Sequence, residues 1–581
     1  MTSLITRRFS NPELPIIERV LDSRGLKTGD LSFSLNQLAG YQALKGIDQA
    51  VAMLEFAIRS QQRIVIIGDF DADGATSTAL AVDALQQLGA HWVHYLVPNR
   101  FEFGYGLSSA IAQLAYEQYQ PDLLVTVDNG ISSFEGVETA HELGMKVLVT
   151  DHHLAADSLP NADAIVNPNQ PDCLFPSKAA CGCAVVFYVM CALRAHRMNL
   201  GDETAKNLNM AQYLDLVALA TVADVVPLDR NNQILVEQGL RRIRAGQARP
   251  GVQALLQVAK RQAPLLTSKD FGFALGPRLN AAGRMDDMSI GIECLLSKEF
   301  TRAVHIAETL DELNQDRKSV EGQMQKEALK ILETTSLSNE QEQATYCLYH
   351  PQWHQGVVGL LASRIKEKLF RPVIAFAPAS DDVTNEALAS GEFEIKGSGR
   401  SIPGFHMRDA LDLVAKRLPH VLQKFGGHAM AAGLSIQQKH LKEFETCFEQ
   451  VARDIMTADM LVNEIITDGE PNYEDYNVHI ARQLKFVAPW GQNFPEPIFD
   501  GEFDVINYRL IGSEKNHLKL TLASKNHHRY LDAILFSIER HGLSAQDVSN
   551  LSRVHIVFDL DVNEFRGQEN VQLMIRHLRS I

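Results

Sequence analysis

Between about residues 48 and 224 the chain alternates stretches of helical periodicity with short β-branched runs. These runs are Arg63-Ile-Val-Ile-Ile67, His91-Trp-Val-His-Tyr-Leu-Val97, Leu123-Leu-Val-Thr-Val127 and Lys146-Val-Leu-Val149. Such alternation predicts βαβ units around a parallel sheet. A polar stretch rich in Glu, Lys and Gln follows at 298–335, with Ile306, Leu310, Leu313, Val320, Met324, Ala328 and Ile331 at mostly three- and four-residue spacing. It predicts one long helix joining two bodies. A second α/β segment runs over 336–458, and its glycines, Gly391, Gly397, Gly399, Gly404 and Gly426-Gly427, read as loop chemistry. Beyond 459 the pattern changes to alternating strands at His517–Leu522, Tyr530–Phe536, Val554–Leu560 and Val571–Ile575, which predicts a small β-barrel.

The expected architecture is therefore a multidomain α/β protein. An N-terminal segment (1–47) precedes a parallel-sheet domain (48–297), a connecting helix (298–335), a smaller α/β domain (336–458) and a small β-barrel (459–581). In a parallel sheet, ligands collect beyond the carboxyl ends of the strands. Acidic residues cluster there: Asp69, Asp71 and Asp73 follow the first run, Asp128 the third, and Asp151-His152-His153 the fourth.

Length and composition narrow the class. A chain of 581 residues with 45% hydrophobic content can bury several cores. The longest apolar stretch, Cys183 to Leu193, ends at Arg194, short of the ~20 residues that span a bilayer. The first residues, Met-Thr-Ser-Leu-Ile-Thr-Arg-Arg, lack an apolar segment behind them, so no secretory signal is expected and the protein should be cytoplasmic. Seven cysteines, an odd and small number, fit reduced thiols. Cys173, Cys181, Cys183 and Cys191 cluster without a C-x2-C pair, so buried thiols are expected rather than zinc. A net charge of −16 argues against a broadly basic nucleic-acid surface. It leaves room for a metal centre rich in carboxylates and for local strand binding by a few arginines.

Asp71, Asp73, Asp128, His152 and Asp224 form a mixed Asp/His set suited to Mn²⁺ or Mg²⁺, with the histidine favouring Mn²⁺. A pair of such ions would serve hydrolysis of a phosphate ester. His152 and His153 would point to opposite sides if they continued an extended strand, leaving His153 as general acid or charge stabiliser. Asp151 is expected to orient its histidines.

Gly68-Asp-Phe-Asp-Ala-Asp-Gly74, Thr126-Val-Asp-Asn-Gly130, Asp151-His-His153 and Ala220-Thr-Val-Ala-Asp-Val-Val-Pro-Leu228 together resemble the signature motifs of the DHH phosphoesterase superfamily. Pro98-Asn-Arg-Phe101 with Gly104-Tyr-Gly-Leu107, Gly276–Arg284 and Gly426-Gly-His-Ala429 narrow the likeness to its bacterial branch of single-strand-specific 5′→3′ DNA exonucleases. The resemblance covers nearly the whole chain, including a second domain called DHHA1 and the C-terminal barrel, which it implies is an OB-like, oligonucleotide-binding fold.

That resemblance implies that Asp71, Asp73, Asp128, His152 and Asp224 are metal ligands, with Asp128 bridging, and leaves open whether Asp69 ligates. It implies that Ser398 and Arg400, with Arg100, receive a 5′-terminal phosphate. Arg278, Arg284 and His428 would contact the strand backbone; Tyr105 or Phe101 would stack on a base, or else pack in the core. Exonuclease action would follow from a narrow channel capped by the phosphate pocket, releasing 5′-mononucleotides. Single-strand-binding protein and a helicase are the implied partners in DNA recombination and repair, with the enzyme a monomer. The alternatives are a relative acting on short oligoribonucleotides or cyclic dinucleotides, which generally lacks the barrel, and an inactive strand-binding factor, which would have gaps among its ligands.

Overall fold

The computed structural model describes residues 4–8, 11, 13–97, 106–336, 343–380, 384–422, 424–512, 515–524 and 530–581. They form two compact units. One comprises Met1–Arg7, Gln315–Thr467 and Glu539–Leu543; the other comprises Arg8–Asn314, Asp468–Ile538 and Ser544–Ile581. The first strand, β1 (Leu4–Arg7), belongs to the former.

The larger unit is built on β2 (Ile64–Ile67), β3 (Val93–Leu96), β4 (Leu123–Val127), β5 (Lys146–Thr150) and β6 (Ala164–Val166). They form a 5-stranded sheet in the order β3-β2-β4-β5-β6, parallel throughout. Every residue of β2 and β4 is buried, as expected of strands covered by helices on both faces. The chain runs from β2 outward to β3, then returns to β4 on the other side of β2. This reversal opens a crevice at the carboxyl ends of β2 and β4, where α/β sheets bind ligands. Among the described residues, no helix is long and apolar enough to cross a membrane. The apolar run after Cys181 is the buried helix Gly182–Asn199. Cys173, Cys181 and Cys183 are buried and Cys191 partly so, and all seven cysteines are free thiols.

The expected connecting helix is Phe300–Ser336. In the smaller unit, β7 (Tyr346–Tyr349), β8 (Val373–Pro378), β9 (Glu394–Arg400), β10 (Lys424–Gly427) and β11 (Ala431–Gln437) form a mixed sheet, order β10-β11-β9-β8-β7. Its β12 (Glu464–Thr467) pairs in parallel with β1. Contrary to the loop expected from sequence, Gly397, Gly399, Gly426 and Gly427 all lie within strands. A Cβ on Gly397 would meet Phe376 at 2.5 Å and one on Gly399 would meet Met407 at 3.2 Å, so these glycines serve close packing on the core face of β9.

The last strands, β13 (Phe499–Ile511), β14 (His517–Ser524), β15 (Tyr530–Leu535), β16 (Arg553–Phe565) and β17 (Gln568–Ser580), close a barrel in the order β13-β14-β15-β17-β16. Phe499, Phe503 and Phe558 fill its interior. Arg24 reaches from the N-terminal segment to Asp468 as a buried ion pair at 2.6 Å, and its guanidinium also stacks over Trp490. Ser268 donates to the carbonyl of Trp490 at 2.6 Å, so the barrel shares one body with the parallel-sheet domain.

Candidate metal centre

The turns after β2, β4 and β5 carry the acids, and each turn has its own local reason. Asp71 caps the helix Ala72–Gln87 by accepting from the Gly74 N–H at 3.0 Å. Asp73 then falls in the first helical turn, fully buried, and accepts from the N–H groups of Gly182 (2.7 Å) and Cys183 (2.8 Å). Two helix N-termini thus converge on these carboxylates, whose charge they favour. Asn280 accepts from the Ala72 N–H at 2.7 Å, and a Cβ on Gly283 would sit 1.8 Å from the Phe70 carbonyl oxygen. The helix Gly276–Met285 is therefore pressed against the acidic turn.

Asp128 adopts a left-handed backbone, φ 63°, at the end of β4. Asn129 fixes the turn by donating to the carbonyls of Ile67 and Val127, both at 3.0 Å, which ties the ends of β2 and β4 together. Asp151 organises the third turn. Its Oδ1 accepts from the N–H groups of His152 (2.7 Å) and His153 (3.1 Å) and pairs with His153 Nδ1 at 2.8 Å, while Oδ2 accepts from Ile131 N–H at 2.9 Å. Asn169 and Asn167 hold the carbonyls of His152 and His153 at 2.6 and 2.9 Å.

The backbone therefore wraps around the Asp151 carboxylate instead of continuing as a strand, and the expected alternation of the two histidines does not apply. Donor atoms of Asp128, His152 and His153 lie within 4.8 Å of one another. Asp224 stands at the C-terminus of the helix Leu214–Ala223.

His152 Nε2 sits 3.1 Å from Asp128, 3.5 Å from Asp224 and 3.9 Å from Asp73. Asp73, His152 and Asp224 form one set of donors within 4.8 Å, and Asp69, Asp71 and Asp128 form another. Asp69, left open by the sequence, thus joins the cluster on the side of Asp71. Gly182 was not singled out by sequence reasoning, yet a Cβ there would lie 2.5 Å from Asp128 Oδ1. Its only sequence signal is a glycine between Cys181 and Cys183 at a helix start.

Crowding of buried carboxylates shifts their titration. Burial, with the neighbouring Asp71, raises Asp73 to about 7. Burial and the surrounding aspartates push Asp128 and Asp224 well above the usual carboxylate range. Burial and the adjacent His153 hold His152 down at about 4, so it is neutral, the form that ligates. Burial opposes charge on His153 too, but the hydrogen bond and charge of Asp151 outweigh it and raise His153 to about 9.

The donor set fits hard divalent cations: carboxylate oxygens in two adjoining groups, one neutral imidazole, and a cradle at Gly182 that any side chain would fill. Arg278 and Arg284 lie on the helix packed against the acidic turn. Arg278 is engaged by Asp311 at 2.7 Å and by the Ala274 carbonyl at 2.6 Å, and Arg284 is half-buried in the last turn. Arg100 and Tyr105 lie outside the described residues.

In the smaller unit, Ser398 and Arg400 share one face of β9, and Arg400 Nη1 donates to Ser398 Oγ at 3.0 Å. A Cβ on Gly359 would lie 2.9 Å from the Arg400 guanidinium and 3.0 Å from Ser398 Oγ. Both side chains therefore lean over the start of the helix Val358–Leu369, whose N-terminus has no side-chain cap. Burial lowers the Arg400 pKa, the mark of a guanidinium held away from water. His428 is exposed in the turn between β10 and β11.

A parallel sheet with acids and an Asp-His-His turn at its carboxyl edge defines a DHH-type protein. Comparison with family models agrees: residues 63–221 match the DHH family, N-terminal domain, 341–454 match the DHHA1 domain and 467–577 match the RecJ OB domain. The chain is 49% identical over 588 residues to the single-stranded-DNA-specific exonuclease RecJ of Dickeya dadantii, covering 100% of this chain and 99% of that one. It is 47% identical over 568 residues to RecJ of Escherichia coli, covering 97% and 96%. A crystal structure of Thermus thermophilus RecJ in complex with Mn²⁺ superposes with a TM-score of 0.76 at 26% identity, covering 99% of this chain and 80% of that one. The chain belongs to the RecJ family.

Metal binding must drive protons from this cluster. Asp73 at about 7, with Asp128 and Asp224 shifted the same way, keeps protons near neutrality that a cation has to displace. Apparent Mn²⁺ affinity is therefore expected to rise about tenfold or more between roughly pH 6 and 8. Titration calorimetry in buffers of different ionisation enthalpy should register the released protons; affinity flat with pH would contradict these shifts.

Proposed function

We propose that the protein is a metal-dependent exonuclease that degrades single-stranded DNA from its 5′ end and releases 5′-mononucleotides. The observation that carries this reading is the convergence of Asp69, Asp71, Asp73, Asp128, His152 and Asp224 in two adjoining donor sets. The full-length likeness to RecJ exonucleases supplies the substrate class. Asp71, Asp73, Asp128, His152 and Asp224 hold the ions, Mn²⁺ or Mg²⁺, with Asp128 between the two sets and Asp69 completing one of them. Divalent ions bound there supply Lewis acidity, lowering the pKa of a coordinated water and neutralising phosphoryl oxygens.

The chain's own groups do the rest. Asp151 keeps His153 protonated at neutral pH, so that His153 offsets negative charge developing at the phosphate or gives a proton to the leaving oxygen. Burial and the protonated neighbour keep His152 neutral for ligation. Ser398, Arg400 and the uncapped backbone N–H groups of the helix Val358–Leu369 receive the 5′-terminal phosphate, a combination suited to a dianion. Arg278, Arg284 and His428 contact the strand backbone, and Tyr105 stacks on a base. For Arg278 this requires its guanidinium to be shared with, or released from, Asp311.

The closed barrel and the complete set of acids favour this reading over a small-substrate relative and over an inactive strand-binding factor. The setting is DNA recombination and repair in the cytoplasm, for which the free thiols speak. A helicase and single-strand-binding protein are the partners, and the enzyme works as a monomer.

With Mn²⁺ present, 5′-labelled single strands should lose their label as mononucleotide long before 3′-labelled ones, with duplex and RNA controls degraded far more slowly. Asp128→Ala should reduce this hydrolysis by on the order of 10²–10³ or more while strand binding stays mostly intact; retained turnover would remove Asp128 from the centre. Arg400→Ala should weaken binding of 5′-phosphorylated oligonucleotides about thirtyfold and erase their advantage over 5′-hydroxyl strands. An unchanged preference would move the phosphate site elsewhere.

A further inference from the structure

The DHHA1 domain carries a second group of metal-type donors that the exonuclease reaction does not use. His420 lies in the turn after the helix Met407–Arg417, His440 immediately precedes the helix Leu441–Ile455, and Glu443 sits in the first turn of that helix. One donor atom from each lies within 4.8 Å of the others. His420 Nε2 is 3.1 Å from Glu443 Oε1, His440 Nδ1 is 3.5 Å from Glu443 Oε2, and the imidazole centroids are 5.7 Å apart with their planes at 83°.

The two imidazoles meet different oxygens of Glu443, so one ion between them would take the carboxylate through both oxygens. Bonds of ~2.0–2.1 Å place neighbouring donors about 3.3 Å apart and two ligating imidazole centroids about 5.2 Å apart. Two imidazoles with one carboxylate select a borderline cation such as Zn²⁺ over Mg²⁺ or Ca²⁺, which prefer oxygen alone. The backbone is also prepared. Val421 and Leu422 next to His420, and Phe444 next to Glu443, are buried in the same core cluster, so the donors stand on anchored segments. Neighbouring cations are occupied elsewhere: Lys439 pairs with Glu392, Lys442 with Glu445 and Arg417 with Asp454.

We propose that His420, His440 and Glu443 form a site for a Zn²⁺-type cation that clamps the base of the β10–β11 hairpin. His420 and His440 flank that hairpin in sequence, and one ion on both would close residues 421–439 into a loop. The hairpin carries Gly426-Gly427 at the end of β10 and His428 in its turn, and β11 pairs with β9 so that Gly433 faces Ser398 and Ala431 faces Arg400. Metal at the base thus stiffens the strand beside the Ser398/Arg400 face, whereas the acids of the carboxylate centre belong to the other unit.

The test uses the full chain held in excess Mn²⁺, so that the carboxylate centre is occupied, and titrates Zn²⁺ by calorimetry. Wild type should bind one further Zn²⁺ that His420→Gln, His420→Ala and His440→Gln each weaken at least tenfold, with melting temperature and Mn²⁺-dependent nuclease activity unchanged. Hydrogen exchange over 421–439 should slow on Zn²⁺ addition in wild type and not in the variants. Displacement of Mn²⁺ by Zn²⁺ at the acids would appear equally in all proteins. Equal Zn²⁺ binding in wild type and variants, or exchange in the hairpin unmoved by Zn²⁺, would reduce the cluster to a surface ion-pair network and overturn the proposal.

Discussion

Mutual repulsion among buried carboxylates is the constraint around which the larger unit is organised. Asp69, Asp73 and Asp128 are almost wholly removed from water, and Asp71 and Asp224 stand beside them. Charges so placed cost far more than they return unless something positive compensates. The fold supplies part of that compensation through the N–H groups of Gly182 and Cys183 on Asp73 and through the cationic His153 held by Asp151. The rest is left as an affinity for divalent cations. The raised pKa values of Asp73, Asp128 and Asp224 express the same unmet charge.

Sheet topology makes such crowding possible without strand-level strain. Placement of β3 and β4 on opposite sides of β2 brings the ends of β2 and β4 side by side, and β5 adds the Asp-His-His turn next to them. Each turn is then pinned by hydrogen bonds that do not involve the ligand atoms alone. Asn129 bridges two strands, Asn167 and Asn169 hold the histidine carbonyls, and Asn280 braces the first acidic turn. These supports fix the orientation of the donors.

Much of this was legible in the residues. The β-branched runs located β2 to β5, the helical spacing located Phe300–Ser336, and the acids at the strand ends marked where carboxylates cluster. What escaped depended on distant contacts. β6 is only three residues long, and much of β13 is solvent-exposed, so neither carries a strong hydrophobic pattern. The glycines of β9 read as loop because the packing of Phe376 and Met407 against them is invisible locally. The helix ending at Asp224 is apolar on nearly every side, which leaves no period to detect. Asp69 stayed ambiguous because its place beside Asp71 and Asp128 is decided by how two turns meet, and Gly182 became meaningful only once Asp128 was found against it.

The account rests on these acids acting together as a two-ion centre. Anomalous diffraction at the manganese edge from crystals of the full chain grown with Mn²⁺ tests that most directly. Two peaks are expected within the cluster, one bounded by Asp73, His152 and Asp224 and the other by Asp69, Asp71 and Asp128. A single peak, or manganese bound only outside these residues, would contradict it.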